Sequence, residues 1–289
     1  MVPSLAEYLI GIIFLLLFAI FAFKRDALTE EGTLTAITIG LLVFLFPLGP
    51  ISGRIWFALV ALFFLASFFV TKYCSRAKVT VNKEFAKGAT RDLMQVFANG
   101  AGAAILAVIY YFYPHDVVFL AFAVVLATVN ADTWATELGI LSRSKPVLIT
   151  NFKTVRRGVS GAVSIYGLLA AFIGSLLIAL GAVLFIYFDS VYFGSIFRVP
   201  GGVYLFVAVV SVFGVLGSLV DSILGAVVQI MYYCKKCRKE TERTVHRCGR
   251  HTVYYKGIKF FDNDVVNLIS SLVTGLLAAL VYFMLFGLK

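Results

Sequence analysis

A bundle of membrane-crossing helices is the fold class that this sequence predicts, and three observations predict it. Hydrophobic residues make up 61% of the 289 and charged residues only 14%, whereas a soluble domain is about half apolar and a quarter charged. Eight apolar runs recur along the chain, most of them near the roughly 20 residues that carry a helix across hydrocarbon. Basic residues gather in every second connection between those runs. The expectation is an all-α, polytopic membrane helix bundle of about eight transmembrane helices, with a small zinc-ribbon-like loop on the cytoplasmic side.

The runs read as Leu5–Phe23, Leu34–Phe46, Ile55–Val70, Leu93–Tyr113, Val117–Leu141, Val163–Phe188, Val203–Tyr233 and Val265–Phe286. The first is expected to be a retained span, because Val2-Pro3-Ser4 before it gives neither a basic start nor a small-residue cleavage site. The second is short and draws on neighbouring residues. The seventh exceeds what a bilayer needs, and Gly214-Val-Leu-Gly217-Ser218 within it predicts a tilt or a break.

Orientation follows from the cations. Lys24 and Arg25 follow the first run; Lys72, Arg76, Lys78, Lys83, Lys87 and Arg91 follow the third. Arg143, Lys145, Lys153, Arg156 and Arg157 follow the fifth, and nine more lie between Lys235 and Lys259. Of the 25 Lys and Arg, only Arg54, Arg198 and Lys289 fall on the other face. The positive-inside rule makes the basic face cytoplasmic and puts both termini outside. The same rule accounts for the net charge of +10, so no nucleic-acid partner is expected. Residues 1–84 form an N-terminal part of three spans and a basic loop. Residues 85–289 form the catalytic part, which includes the Cys/His loop at 234–262.

Ionisable groups at membrane depth are costly and mark functional sites. Four carboxylates qualify: Asp132 and Glu137 in Val129-Asn-Ala-Asp-Thr-Trp-Ala-Thr-Glu137, Asp221 in Gly217-Ser-Leu-Val-Asp-Ser222, and Asp264 in Asp262-Asn-Asp-Val-Val-Asn267. All four fall in the cytoplasmic half of their spans. Asn130, Thr133 and Glu137 share one helical face, as do Asp264, Asn267 and Ser271, and as do Arg91, Gln95 and Asn99. Such stripes also serve as hydrogen-bonding contacts between helices. Asp132 stands well round its helix from Glu137, so one ion reaches both only with a distortion or a second element. Hard oxygen ligands of this kind suit magnesium held with substrate phosphates. In Thr150-Asn-Phe-Lys-Thr-Val-Arg-Arg-Gly-Val-Ser-Gly161, the cations Lys153, Arg156 and Arg157 stand beside glycines and Ser160, just before a helix. That combination makes an anion cradle, or else an ordinary positive-inside loop.

Three of the four cysteines fall in Cys234-Lys-Lys-Cys237 and His246-Arg-Cys248-Gly-Arg-His251. On the reducing side of the membrane this spacing predicts a structural zinc site of Cys234, Cys237, Cys248 and either His246 or His251. A redox pair and unligated thiols are the alternatives. Cys74 reads as packing and His115 as a loop residue.

Taken together, Arg91-Asp-…-Gln95-…-Asn99-Gly100, Ala131-Asp-Thr-Trp-Ala-Thr-Glu-Leu-Gly139, Gly158-Val-Ser-Gly161, Gly217-Ser-Leu-Val-Asp-Ser222, the Cys/His loop and Asp262-Asn-Asp-Val-Val-Asn267 resemble the phytyl-phosphate kinase family. The likeness runs from about residue 85 to the end; earlier residues match in hydropathy alone. It implies a membrane kinase that moves the γ-phosphate of CTP to an isoprenyl monophosphate of phytyl or geranylgeranyl type. It also implies distant kinship with polyprenol kinases and CDP-lipid synthases. On this reading Asp132, Glu137, Asp221 and Asp264 hold Mg2+. Arg91, Asn99, Lys153, Arg156, Arg157, Ser160, Asn263 and Asn267 attend nucleotide and phosphate. A cytidylyltransferase making a CDP-lipid and a cation or lipid transporter are the rival functions, and the sequence leaves homodimer formation open.

Overall fold

The structure is a computed structural model that describes residues 5–81, 90–195, 199 and 201–286, with 75–81 and 286 described in backbone only. The side chains of Arg76 and Lys78, residues Lys83, Lys87, Arg198 and Lys289, and the expected boundary between 84 and 85 lie outside the described residues. Eight helices follow in chain order: α1 (Leu5–Lys24), α2 (Glu30–Leu45), α3 (Gly53–Val81), α4 (Leu93–Phe112), α5 (Asp116–Gly139), α6 (Ile165–Phe193), α7 (Val203–Val227) and α8 (Asn263–Phe286). Seven are long and apolar enough to cross a membrane. The shorter α2, of 16 residues, reaches about 24 Å at the α-helical rise.

Polar residues set where these helices begin. Thr29 accepts the Gly32 N–H at 3.1 Å, Asp92 the Gln95 N–H at 3.0 Å and Ser164 the Gly167 N–H at 3.0 Å. Asp262 accepts the Val265 N–H at 2.9 Å. Each satisfies an amide that the first helical turn leaves without a partner.

Helix α5 is the axle. Every residue from Val118 to Ala131 is buried, as expected of a helix that is apolar all round, and α3, α4, α6, α7 and α8 all pack on it. Two sets of contacts show that the helices run alternately between two faces. At one face, Ala27 and Thr29 after α1 exchange backbone hydrogen bonds with Arg91 before α4. At the other, Arg54 at the start of α3 meets Glu7 of α1 at 3.3 Å and buried Asp189 of α6 at 3.1 Å. α2 therefore crosses from one face to the other despite its length.

The long seventh run resolves differently from expectation. α7 continues unbroken through Gly214 and Gly217 to Val227, and Met231–Cys234 is a strand, β3. The glycines serve contact, not bending. A Cβ on Gly214 would stand 2.6 Å from the Ser175 Cβ and 3.0 Å from the Ala127 Cβ, and one on Gly217 would collide with Thr128. Small residues here let α7 press against α5 and α6. β3 joins two more strands, Lys239–Thr241 and Val253–Lys256, in a small antiparallel sheet with β3 in the middle. A two-strand pair, β1 (Val147–Leu148) with β2 (Ala162–Val163), closes the loop before α6.

Gly217→Val should lower unfolding stability in detergent by about 1–3 kcal/mol, the usual range for overpacking a filled contact. Leu216→Val, on the outward side of α7, should leave it nearly unchanged.

Candidate active site

Two of the four expected carboxylates converge. Asp132 on α5 accepts a hydrogen bond from Ser218 of α7 at 3.4 Å, and Asp221, one turn beyond Ser218, accepts from Ser270 of α8 at 3.0 Å. The two acids lie within electrostatic reach of each other. Three helices thus bring one acidic pair together, with hydroxyls as its hydrogen-bond partners. Among the described residues neither acid pairs with a lysine or arginine.

Glu137 belongs elsewhere on α5. Its charge acts on Arg91, in keeping with its angular distance from Asp132. Asp264 stands in the first turn of α8, two residues after the cap Asp262. Asn130 is a structural contact: it donates to the Gly174 carbonyl at 2.7 Å and accepts from Ser67 at 3.1 Å. Asn263 opens α8. Among the described residues, Asn99 and Asn267 each hold a buried side-chain oxygen with no hydrogen-bond partner, a costly state that a polar ligand would relieve. Arg91, just before α4, lies over the rings of Phe63 and Phe64, 6.0 and 5.8 Å from their centroids. Burial there pulls its guanidinium down to about 10, against the opposing charge of Glu137. It remains a cation at neutral pH.

The loop expected to cradle an anion turns on two glycines. Gly158 and Gly161 take φ of +79° and +78°, a region open to glycine at little cost. A Cβ on Gly161 would come within 2.7 Å of the Ser222 carbonyl, so this loop lies directly on the end of α7 that carries Asp221. The strand pair intervenes before α6, and Ser164 caps that helix. Lys153 and Arg156 are exposed, while Arg157 donates to the Arg143 carbonyl at 3.3 Å. Ser160 donates to Gln229 at 2.6 Å.

Gln229 and Glu242 were not anticipated. Gln229, buried just beyond α7, also donates to Glu242 of the ribbon at 3.1 Å, and the charge of Glu242 reaches Asp221. The chain Ser160–Gln229–Glu242 therefore ties loop, helix end and ribbon together above the acidic pair. A glutamine inside an apolar run was the available signal. Nothing in the spacing pointed to Glu242.

In the ribbon the ligand atoms of Cys234, Cys237, His246 and Cys248 lie within 4.8 Å of one another, and His251 is outside this group. The Cys234 and Cys248 sulfurs are 3.7 Å apart, and His246 Nδ1 is 3.2 Å from the Cys248 sulfur. A tetrahedral site with Zn–S bonds of about 2.3 Å separates its sulfurs by about 3.8 Å, so the donor set and spacing fit zinc. The His246 contact draws the Cys248 thiol down to about 6, toward the thiolate that a metal needs.

Fold and site define a polytopic membrane protein with an acidic pair and a Cys/His ribbon at one face. The chain belongs to the integral membrane protein family DUF92, whose pattern matches residues 13–275. It is 30% identical over 278 residues to Protein PGR of Arabidopsis thaliana, across 91% of this chain and 92% of that one. It is 28% identical over 282 residues to an uncharacterised membrane protein of Methanocaldococcus jannaschii, across 96% of each. No solved structure matches it.

Purified protein should carry one zinc per chain by elemental analysis. Cys237→Ser and His246→Ala should lose most of it, and His251→Ala should keep it.

Proposed function

We propose that this protein is a membrane kinase that transfers the γ-phosphate of CTP to an isoprenyl monophosphate, giving CDP and the isoprenyl diphosphate at the cytoplasmic surface. One observation carries the reading: Asp132 and Asp221 are held together toward the C-terminal ends of α5 and α7 with hydroxyl partners and, among the described residues, no cationic side chain. Two carboxylates so placed repel each other and lose solvation, a combination that a bound cation offsets. An all-oxygen donor set suits Mg2+, which also takes phosphate oxygens as ligands. When bound, such an ion supplies charge neutralisation at the β- and γ-phosphates.

The protein's own part is positioning. Asp132 and Asp221, with Glu137 further along α5 and Asp264 in the first turn of α8, fix where the nucleotide phosphates can lie. The glycine loop at 158–161 offers backbone N–H groups, and the exposed Lys153 and Arg156 can close over the transferred group. An acceptor that is already a phosphate anion attacks the γ-phosphorus directly. The bond from that phosphorus to the β–γ bridging oxygen breaks, and CDP leaves with the electron pair. Little general-base help is needed, so placement and electrostatics dominate. The resemblance of the motifs to phytyl-phosphate kinases supports CTP as donor and a prenyl phosphate as acceptor. Zinc held by Cys234, Cys237, His246 and Cys248 has no open position for substrate and serves to fold the ribbon.

Incubation with γ-labelled CTP, geranylgeranyl phosphate and Mg2+ should yield labelled diphosphate and CDP. Asp132→Asn and Asp221→Asn, still monodisperse, should each lose on the order of 10³-fold in turnover, the scale of removing a preorganised electrostatic group. Pyrophosphate release with cytidine retained on the lipid identifies a cytidylyltransferase instead. Nucleotide-independent flux in liposomes identifies a transporter.

A further inference from the structure

Helices α1 to α4, with Leu126 of α5, line a partly open apolar cavity of about 720 Å³, counting the part open to the surroundings. It is lined along α1 from Ala22 to Leu15 and along α3 from Phe64 to Phe57. Seven residues of helix make the cavity about 10 Å deep. Apart from Gly100, its floor and walls are alanine, valine, leucine, isoleucine and phenylalanine, a lining that stays dry and accepts hydrocarbon. Two polar groups break this lining, Arg91 and Asn99. Arg91 stands at the end where α1 finishes, its backbone N–H bonded to the Ala27 carbonyl, and Asn99 carries a buried oxygen without a hydrogen-bond partner among the described residues. Glu137, whose charge Arg91 senses, is five residues past Asp132 on α5.

We infer that this cavity binds the hydrocarbon chain of the anionic acceptor lipid, with Arg91 at its mouth holding the headgroup phosphate beside the acidic site. The N-terminal helices are then the substrate-length gauge of the protein. The identity of the head as a monophosphate rests on the kinase reading above; the existence of a chain pocket does not. A cation set among phenyl rings over an apolar shaft selects a ligand with one negative end and one greasy end. Neither inorganic phosphate nor an uncharged prenol satisfies both parts. One shaft under one guanidinium takes one chain and one anionic head.

The test is equilibrium binding of tritiated geranylgeranyl phosphate to the purified full chain in phosphatidylcholine nanodiscs, without nucleotide. Saturable binding is expected, competed by unlabelled ligand but not by inorganic phosphate, geranylgeraniol or phosphatidic acid at equal concentration. Ala61→Phe, which fills the shaft, and Arg91→Gln, which removes the head contact, should each weaken binding about tenfold or more. Leu169→Phe, on the exposed side of α6, should leave it unchanged. Melting temperatures confirm that each variant is folded, and Ala36→Leu provides a gentler filling if Ala61→Phe is not. Equal competition by phosphatidic acid, or full binding by a folded Ala61→Phe, overturns the pocket. If the wild type binds as expected yet turns over no CTP, the pocket stands and the kinase reading falls. Turnover with unchanged chain dependence in Ala61→Phe does the reverse.

Discussion

The arrangement depends on one electrostatic constraint: two carboxylates share a partly dehydrated space where, among the described residues, hydroxyls are their hydrogen-bond partners. Helix packing creates it. α5 is buried on all sides, so its direction is fixed by five neighbours. Gly217 lets α7 close onto Thr128 of α5, and four residues later, on the same helical face, comes Asp221. Ser218 between them reaches Asp132. The same close contact that stabilises the bundle therefore forces the acids together. The repulsion persists unless a positive ion joins them.

Around that pair the non-helical parts act as a clamp. Gly161 brings the loop before α6 onto the end of α7, and Gly257, at φ +93°, brings the last ribbon strand against the Gln229 backbone. A side chain at either position would push these segments off the helix end. Gln229 then bonds to both sides at once, to Ser160 and to Glu242. A zinc-bound ribbon would stiffen one jaw of this clamp, which links a structural metal to the geometry of a distant acidic site.

Much of the bundle was legible in the sequence. The apolar runs marked the eight helices, while the caps Thr29, Asp92, Ser164 and Asp262 that set their starts emerged only in the structure. Basic loops marked which ends lie together. The seventh run misled because Val228–Tyr233 is as hydrophobic as a helix end, yet its β-branched and aromatic residues suit a strand. Its glycines read as a break when they are contact surfaces, a distinction that depends on what faces them. In the site, Asp132 and Asp221 were visible as costly charges in apolar runs. The separation of Glu137 toward Arg91 followed from helical angle. Glu242 was invisible because its role depends on how the ribbon folds back, and the cavity because it is made of ordinary alanines and phenylalanines whose spacing resembles any lipid-facing helix. The choice of His246 over His251 needed the turn that brings Cys248 beside it.

The most direct test of this account is the anomalous-scattering map of crystals grown with Mn2+ as a stand-in for Mg2+. The account predicts a peak between the Asp132 and Asp221 carboxylates, within coordination distance of an oxygen from each. A map in which Mn2+ binds elsewhere, or in which a lysine or arginine fills the space between the two acids, would contradict it.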